Sequence, residues 1–182
     1  MKVHFPRLIP FLLILLPCLA WSGDDTLPET SPAKLEKVTS NPAMLNFWVG
    51  EWDLTWQNPA GEEAKGTNTI RKILGGSVIH ESFNGDPGMD FFGQSFSVLS
   101  RADGSWKQVW VDSERGYLDF DGYQQGDRVV FHRIGKNPMG ETVHQRMVFH
   151  DIKENSFTWD WEISPDGEEW ALRWRIQYQR KN

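Results

Sequence analysis

Little in this sequence supports covalent chemistry. Its 182 residues contain one cysteine, Cys18, which lies in an apolar N-terminal stretch rather than in the body of the chain. The residues beyond it therefore have neither a disulfide nor a thiol nucleophile. No Asn-X-Ser/Thr acceptor with a permitted middle residue occurs, and there is no nucleophile motif, phosphate loop or cysteine–histidine arrangement. Gly75-Gly76 reads as a tight turn, not a phosphate cradle. Positive charge is also scarce: 19 Lys and Arg stand against 25 Asp and Glu, a formal net charge of −6. That balance argues against nucleic acid or an anionic membrane surface as partner. No internal repeat or low-complexity tract interrupts the chain, and after residue 47 no helical periodicity is found.

The one long apolar run, Leu8 to Ala20, is too short to span a bilayer comfortably. Lys2 and Arg7 precede the run or its edge, and Ala20-Trp21-Ser22 puts small residues at the two positions a signal peptidase reads. Residues 1–22 are expected to be a signal peptide cleaved after Ser22, with cleavage after Ala20 and an uncleaved anchor as alternatives. Pro17 sits where lipidation of Cys18 would need a small residue, so acylation is not expected. Cleavage would remove two positive charges and no acid, and would leave no membrane span. An exported chain without disulfide or glycosylation site fits a bacterial envelope, so the expected location is periplasmic or secreted. Residues 23–40, rich in Asp, Thr, Pro, Ser, Glu and Lys, read as a flexible leader. Residues 41–182 suffice for one domain with its own core. Asn41-Pro42 reads as an N-cap with proline at the first helical position. It predicts a short helix to about Phe47, placed to plug one end of a barrel.

The chain is organised around Phe47 to Trp56. There Trp48, Gly50, Trp52, Leu54 and Trp56 alternate with residues that are acidic or hydroxylic from Glu51 onward. Such alternation marks a strand with one buried and one wet face. Nine more strand-like runs follow: 65–74, 77–84, 91–100, 105–113, 116–122, 127–134, 142–152, 156–163 and 169–180. Short turn signals, among them Asn58-Pro59-Ala60-Gly61, Asp86-Pro87-Gly88 and Pro165-Asp166-Gly167, separate them. Short connections mean an up-and-down meander. The predicted fold is all-β, an antiparallel up-and-down barrel of about ten strands.

The apolar pattern predicts pairing as well as strands. Folding about Pro165-Asp166-Gly167 sets Phe157 against Ile176, Trp159 against Trp174, Trp161 against Leu172 and Ile163 against Trp170. Asp160 then meets Arg173 on the other face. The hairpin before it sets Phe149 against Trp159, Met147 against Trp161 and, outside, Arg146 against Glu162. Extending the inner face backwards gives Gln145, Phe131, Val129, Phe120, Leu118, Trp110, Gln108, Val98 and Phe96, with Gln94 facing Asp112. In the second and third runs it gives Thr67, Thr69, Arg71, His80 and Ser82, with Glu81 outside; one bulge would reverse that set. The expected cavity thus has an aromatic wall and a polar wall. Its candidate ligand-binding residues are Trp52, Arg71, His80, Gln94, Gln108, Trp110, Asp112, Gln145, Trp159, Trp161 and Trp174.

Gly50-Glu51-Trp52 resembles the Gly-X-Trp signature of lipocalins and their calycin relatives. In those barrels an arginine of the last strand packs over the tryptophan; the resemblance implies that Arg180 does so here. More widely, the chain from about Met44 resembles a family of exported, uncharacterised lipocalin-like barrels of unknown function. That likeness rests on Val49-Gly50-Glu51-Trp52, Leu74-Gly75-Gly76, Trp110-Val111-Asp112-Ser113 and the ending Tyr178-Gln179-Arg180-Lys181. The family implies no substrate and no catalytic residue. Nitrobindins are more distantly similar ten-stranded barrels that hold haem through a histidine late in the chain, whereas this chain has none after His150.

Metal chemistry finds little support. His144 and His150 lie six residues apart on one strand, about 20 Å, and His132 facing His144 gives two ligands where zinc wants four. No metal, cofactor or catalytic residue is expected. The expected function is binding of a small apolar or amphipathic molecule in an aromatic-lined cavity, without catalysis. The alternatives are an enzyme using His80, Arg71 and Asp112, a haem protein of the nitrobindin kind, and a filled barrel acting as an interaction module. The oligomeric state is left open.

Overall fold

A computed structural model describes residues 41–181. The expectations for the signal peptide and for residues 23–40 lie outside the described residues. Ten strands follow in chain order: β1 Gly50–Gln57, β2 Glu63–Ile73, β3 Val78–Asn84, β4 Phe92–Leu99, β5 Trp106–Asp112, β6 Tyr117–Gln125, β7 Arg128–Lys136, β8 Thr142–His150, β9 Ser156–Ser164 and β10 Ala171–Arg180. Each pairs antiparallel with its neighbour, and β1 pairs with β10 to close the barrel. All ten expected runs are strands, with ends displaced by no more than three residues.

Two hairpins use one sequence device. In Asn58-Pro59-Ala60-Gly61-Glu62 and Asn137-Pro138-Met139-Gly140-Glu141 the asparagine side chain accepts from the backbone N–H two and four residues on. Its amide donates back to the glutamate. The glycine takes φ of 79° and 82°, a left-handed conformation that glycine adopts without steric cost.

No α-helix forms at Asn41. Its side chain caps the N–H of Ala43, as expected of an N-cap, but the segment continues as turns into a single 3₁₀ turn, Asn46–Trp48. The β-extended Val49 after Trp48 stops it within one turn. This segment still plugs one end of the barrel. Met44, Leu45 and Trp48 are buried, Phe47 packs edge-on against Phe149 and Phe157, and Trp106 donates its indole N–H to the Asn41 carbonyl.

The same end is locked by Arg180. Its guanidinium lies 4.2 Å over the Trp52 ring and donates to the carbonyls of Val49, Phe47 and Glu154 at 3.0–3.1 Å. Trp52 in turn donates to the Trp48 carbonyl at 2.8 Å. Gly50 must be glycine for this to happen: its φ is 149°, and a Cβ there would sit 2.1 Å from Arg180 Nη1.

Two expectations are corrected. β2, β3 and β4 face the other way: Asn68, Ile70, Ile79, Glu81, Phe83, Ser95 and Ser97 are buried inside, while Arg71, Gln94, Phe96 and Val98 are exposed and Thr67, Thr69, His80 and Ser82 lie on the outer face. The cause is volume. The bulky stripe of β1 lies opposite smaller residues of β2, with Trp52 against Asn68, Leu54 against Gly66 and Trp56 against Ala64. Likewise Gly93 makes room for Trp110, whose ring a Cβ would meet at 2.0 Å. Large beside small fills space at native density, and it overrides the apolar pattern of Phe96 and Val98.

The second correction is the last hairpin. Phe157 pairs with Tyr178, Trp159 with Ile176 and Trp161 with Trp174, two residues from the expected register, and Asp160 meets Arg175 rather than Arg173. A bulge between Leu172 and Trp174 turns Leu172 outward, opposite Glu162. Trp170 leaves the core to stack under Arg146 at 3.9 Å. The turn is longer than expected because Ser164 and Asp166 cap it, receiving N–H bonds from residues 166–169. The β8–β9 register is as expected, including Arg146 with Glu162.

Arg180→Ala should cost about 2–4 kcal/mol, combining a desolvated cation–π contact with lost carbonyl bonds. Calorimetry should show this as roughly 3 °C of Tm per kcal/mol. Gly50→Ala should cost a comparable amount, but the double variant should recover at least about 1 kcal/mol relative to additivity, since the added methyl no longer meets Arg180. Strict additivity would show that the two residues do not share this contact.

Candidate functional site

The two ends of the barrel differ. At the plugged end, inward-facing Trp52, Phe131, Phe149, Phe157 and Ile176 are fully buried. At the other end, inward-facing Trp110, Leu118, Arg133, Gln145, Trp159, Trp161, Ile163 and Trp174 are only partly buried. This end is aromatic because strand alternation brings one large ring from each of several strands to the same level. Trp174 meets Trp56, Trp159 and, across the lumen, Phe83, at centroid distances of 5.7–5.9 Å. Phe120 meets Trp161 across the lumen at 6.0 Å.

The wall is also incomplete here. β1 and β10 pair only over Trp52–Thr55 and Gln177–Arg180. A recess of about 550 Å³ opens beyond, beside Trp56, Leu172 and Trp174. β6 and β7 pair only from Asp121–His132 to Gln125–Arg128, so Tyr117–Phe120 and Arg133–Lys136 have no ladder between them. A second recess, about 640 Å³, lies there; Phe96, Val98, Val109 and Ile134 line it from outside, and it reaches Gln108, Phe120 and Arg133. The open end is therefore two leaves, β1–β6 and β7–β10, parted at two seams.

A polar wall exists inside, built, apart from the expected Gln108, from residues the sequence pattern had placed elsewhere or passed over. Asn68 donates to Glu81 at 2.7 Å and to the Tyr178 hydroxyl at 3.1 Å, and Ser95 donates to Glu81 at 2.6 Å. Gln108 donates to Ser97 at 2.9 Å. Burial raises the Glu81 carboxyl to about 7 despite the opposing hydrogen bonds from Ser95 and Asn68. Burial and the neighbouring Glu81 push the Tyr178 hydroxyl up as well. Asn68 Oδ1, Gln108 Oε1 and Arg133 Nε are buried without a hydrogen-bond partner among the described residues. Glu81 was legible in principle, since Ile79 and Phe83 flank it at the strand period.

The expected site residues separate into four groups. Trp110, Trp159, Trp161, Trp174, Gln108 and Gln145 do face inward together; Gln145 accepts from Arg133. Trp52 faces inward but belongs to the plugged end. Arg71, His80 and Gln94 lie outside. Arg71 stands 3.5 Å from Glu51, and His80 contacts Gln94 at 3.3 Å and stacks on Phe96. Asp112 has inward parity, yet Gly93 and not Gln94 is opposite it. Its carboxylate accepts from the Trp110 indole and from the backbone of Glu114 and Gly116, capping the β5–β6 turn. His80, Arg71 and Asp112 thus form no common site.

All four described histidines occupy outward positions. His132 and His144 approach to 3.4 Å, and burial, then His144, hold the His132 pKa below its ordinary value. Among the described residues no group of three metal-ligating side chains assembles. His150 and Arg175 instead serve Asp160, which accepts from both at 2.6–3.1 Å. Burial would raise the Asp160 carboxyl, but these bonds, chiefly from Arg175, hold it below its ordinary range.

A family model described as a protein of unknown function, DUF1579, matches residues 37–180. The chain belongs to that family. No curated protein matches it. Among solved structures it is similar to Rv2717c from M. tuberculosis, at 12% identity and TM-score 0.46, covering 79% of this chain and 99% of that one. It is also similar to a redesigned β-barrel, at 11% identity and TM-score 0.40, with the same coverage.

Glu81 gives this family member a testable pH dependence. The folded protein holds the Glu81 proton more tightly than the unfolded chain does, so stability falls as pH rises from about 4.5 through about 7. The loss should approach roughly 3 kcal/mol. Urea unfolding of wild type and Glu81→Gln should show the variant gaining relative stability between pH 5 and pH 8. An equal difference at both pH values would show that Glu81 does not titrate in this way.

Proposed function

We propose that this protein binds a small apolar or amphipathic molecule outside the cytoplasm, between the two leaves at the aromatic end of the barrel, without chemistry. The observation that carries the reading is the contrast between the ends. One is sealed by Trp48, Trp52 and Arg180, while the other leaves Trp110, Trp159, Trp161 and Trp174 inward-facing and partly exposed. Apolar walls with a few placed polar groups are the composition of small-molecule sites. The two seams offer ways in.

A filled barrel serving as an interaction module is the second reading, favoured by the rings that already touch across the lumen, Phe83 with Trp174 and Phe120 with Trp161. Neither an enzyme built on His80, Arg71 and Asp112 nor haem held by an inward histidine draws support from where those side chains lie.

Intrinsic tryptophan fluorescence separates the two readings. Titration with fatty acids, sterols, isoprenoids and aromatic compounds should quench or blue-shift the emission for at least one class. Trp161→Ala should weaken that ligand at least about tenfold, as expected for loss of one buried aromatic contact. If no compound perturbs the emission, the filled-barrel reading takes its place.

A further inference from the structure

We infer that the β6–β7 seam is the subsite for the ligand's polar end, and that this end is a carboxylate held by Arg133; this rests on the binding reading above and names its ligand class. Arg133 projects from the inward side of β7 next to the gap where β6 leaves the ladder. Its Nη1 donates to Gln145, and its Nη2 stands 3.9 Å from Asp119 Oδ1 across the gap. Its Nε, although buried, has no partner among the described residues.

The Nε–Nη2 edge of a guanidinium is the edge that takes a carboxylate side-on with two parallel bonds. The protein itself provides the comparison, since Arg175 uses Nε and Nη2 to grip both oxygens of Asp160 at 2.7 and 2.6 Å. On Arg133 the same edge is empty of hydrogen bonds. Asp119 is too distant to fill it and is mostly exposed.

The surroundings suit an amphipathic acid. Gln108, almost wholly buried, borders the same recess, but its free Oε1 only accepts and so offers nothing to an ionised carboxylate, which leaves recognition of the head to Arg133. The ring of Phe120 lies 6.0 Å from the Arg133 guanidinium and in contact with Trp161, so an alkyl or isoprenoid chain leaving the carboxylate meets aromatic surface at once. Asp119 then acts as a resident competitor. It lies near Arg133 in the empty protein and must yield when a ligand carboxylate arrives.

The test is titration of the full chain with laurate, dodecanol and dodecylamine, which share one tail and differ in the head, followed by tryptophan emission. Laurate should bind at least about tenfold tighter than the other two, the scale of a charge-assisted hydrogen-bond pair. Arg133→Gln should abolish the preference, bringing laurate at least about tenfold down to the affinity dodecanol has for the same variant. Asp119→Asn, an exposed change that does not threaten folding, should tighten laurate and leave dodecanol unaltered. Equal binding of all three heads, or an unchanged laurate affinity in Asp119→Asn, overturns this inference while the binding reading stands. Silence from every compound removes the binding reading itself.

Discussion

One cation over one indole closes this barrel. Arg180 is the last strand residue of β10, Trp52 the third residue of β1, and the guanidinium ties both to the carbonyls of the 3₁₀ turn that precedes β1. Strand pairing alone would not define which end is sealed. Arg180 does so because it fastens the plug segment, the first strand and the last strand in one place. Gly50 is the steric condition for that contact, and Trp52 supplies the face on which the charge rests. At the far end, where rings are partly exposed and two seams part, no counterpart of this fastening occurs among the described residues.

The interior divides by chemistry as well as by exposure. β7–β10 present mainly rings and aliphatic side chains, while β2–β5 present Asn68, Glu81, Ser95, Ser97 and Gln108. Each unpaired buried polar atom costs roughly 1–3 kcal/mol. A barrel shaped for stability alone would have replaced Asn68 and Gln108 with apolar residues of similar volume. Both stand opposite the aromatic wall, each with an oxygen that has no partner among the described residues.

The fold was legible because the signals that specify it are local. Ten alternating runs, separated by Asn-Pro, Pro-Asp-Gly and Gly-Gly turns, leave few options besides a meander, and the inner faces of β5 to β9 followed from apolar parity. What parity could not supply was the orientation of β2, β3 and β4. There the apolar residues of β4, Phe96 and Val98, point outward, and the deciding fact is non-local: Gly66 and Gly93 must lie under Trp56 and Trp110. The last hairpin failed for a related reason. A single bulge at Arg173 and a turn capped by Ser164 and Asp166 move Trp170 and Leu172 outside, and neither leaves a mark in hydrophobic alternation. Of the site, the tryptophans, Gln108 and Gln145 were readable, Glu81 was legible only through its flanking Ile79 and Phe83, and Arg133 looks from sequence like an ordinary surface charge.

The narrow ladder joining β1 to β10 also dictates an order of events. Every hairpin from β1–β2 to β9–β10 joins neighbours in the chain, so each can form as soon as its own residues are available. The β1–β10 ladder instead spans more than a hundred residues, and its key side chain, Arg180, is the last residue of β10. Without that ladder β1 and β10 would be free edges, and such edges invite pairing with other chains. A chain that stops a few residues short would keep nearly all of its local pairing and yet remain adhesive. Closure of the barrel, and with it the covering of the β1 and β10 edges, is therefore settled by the longest-range pairing in the fold.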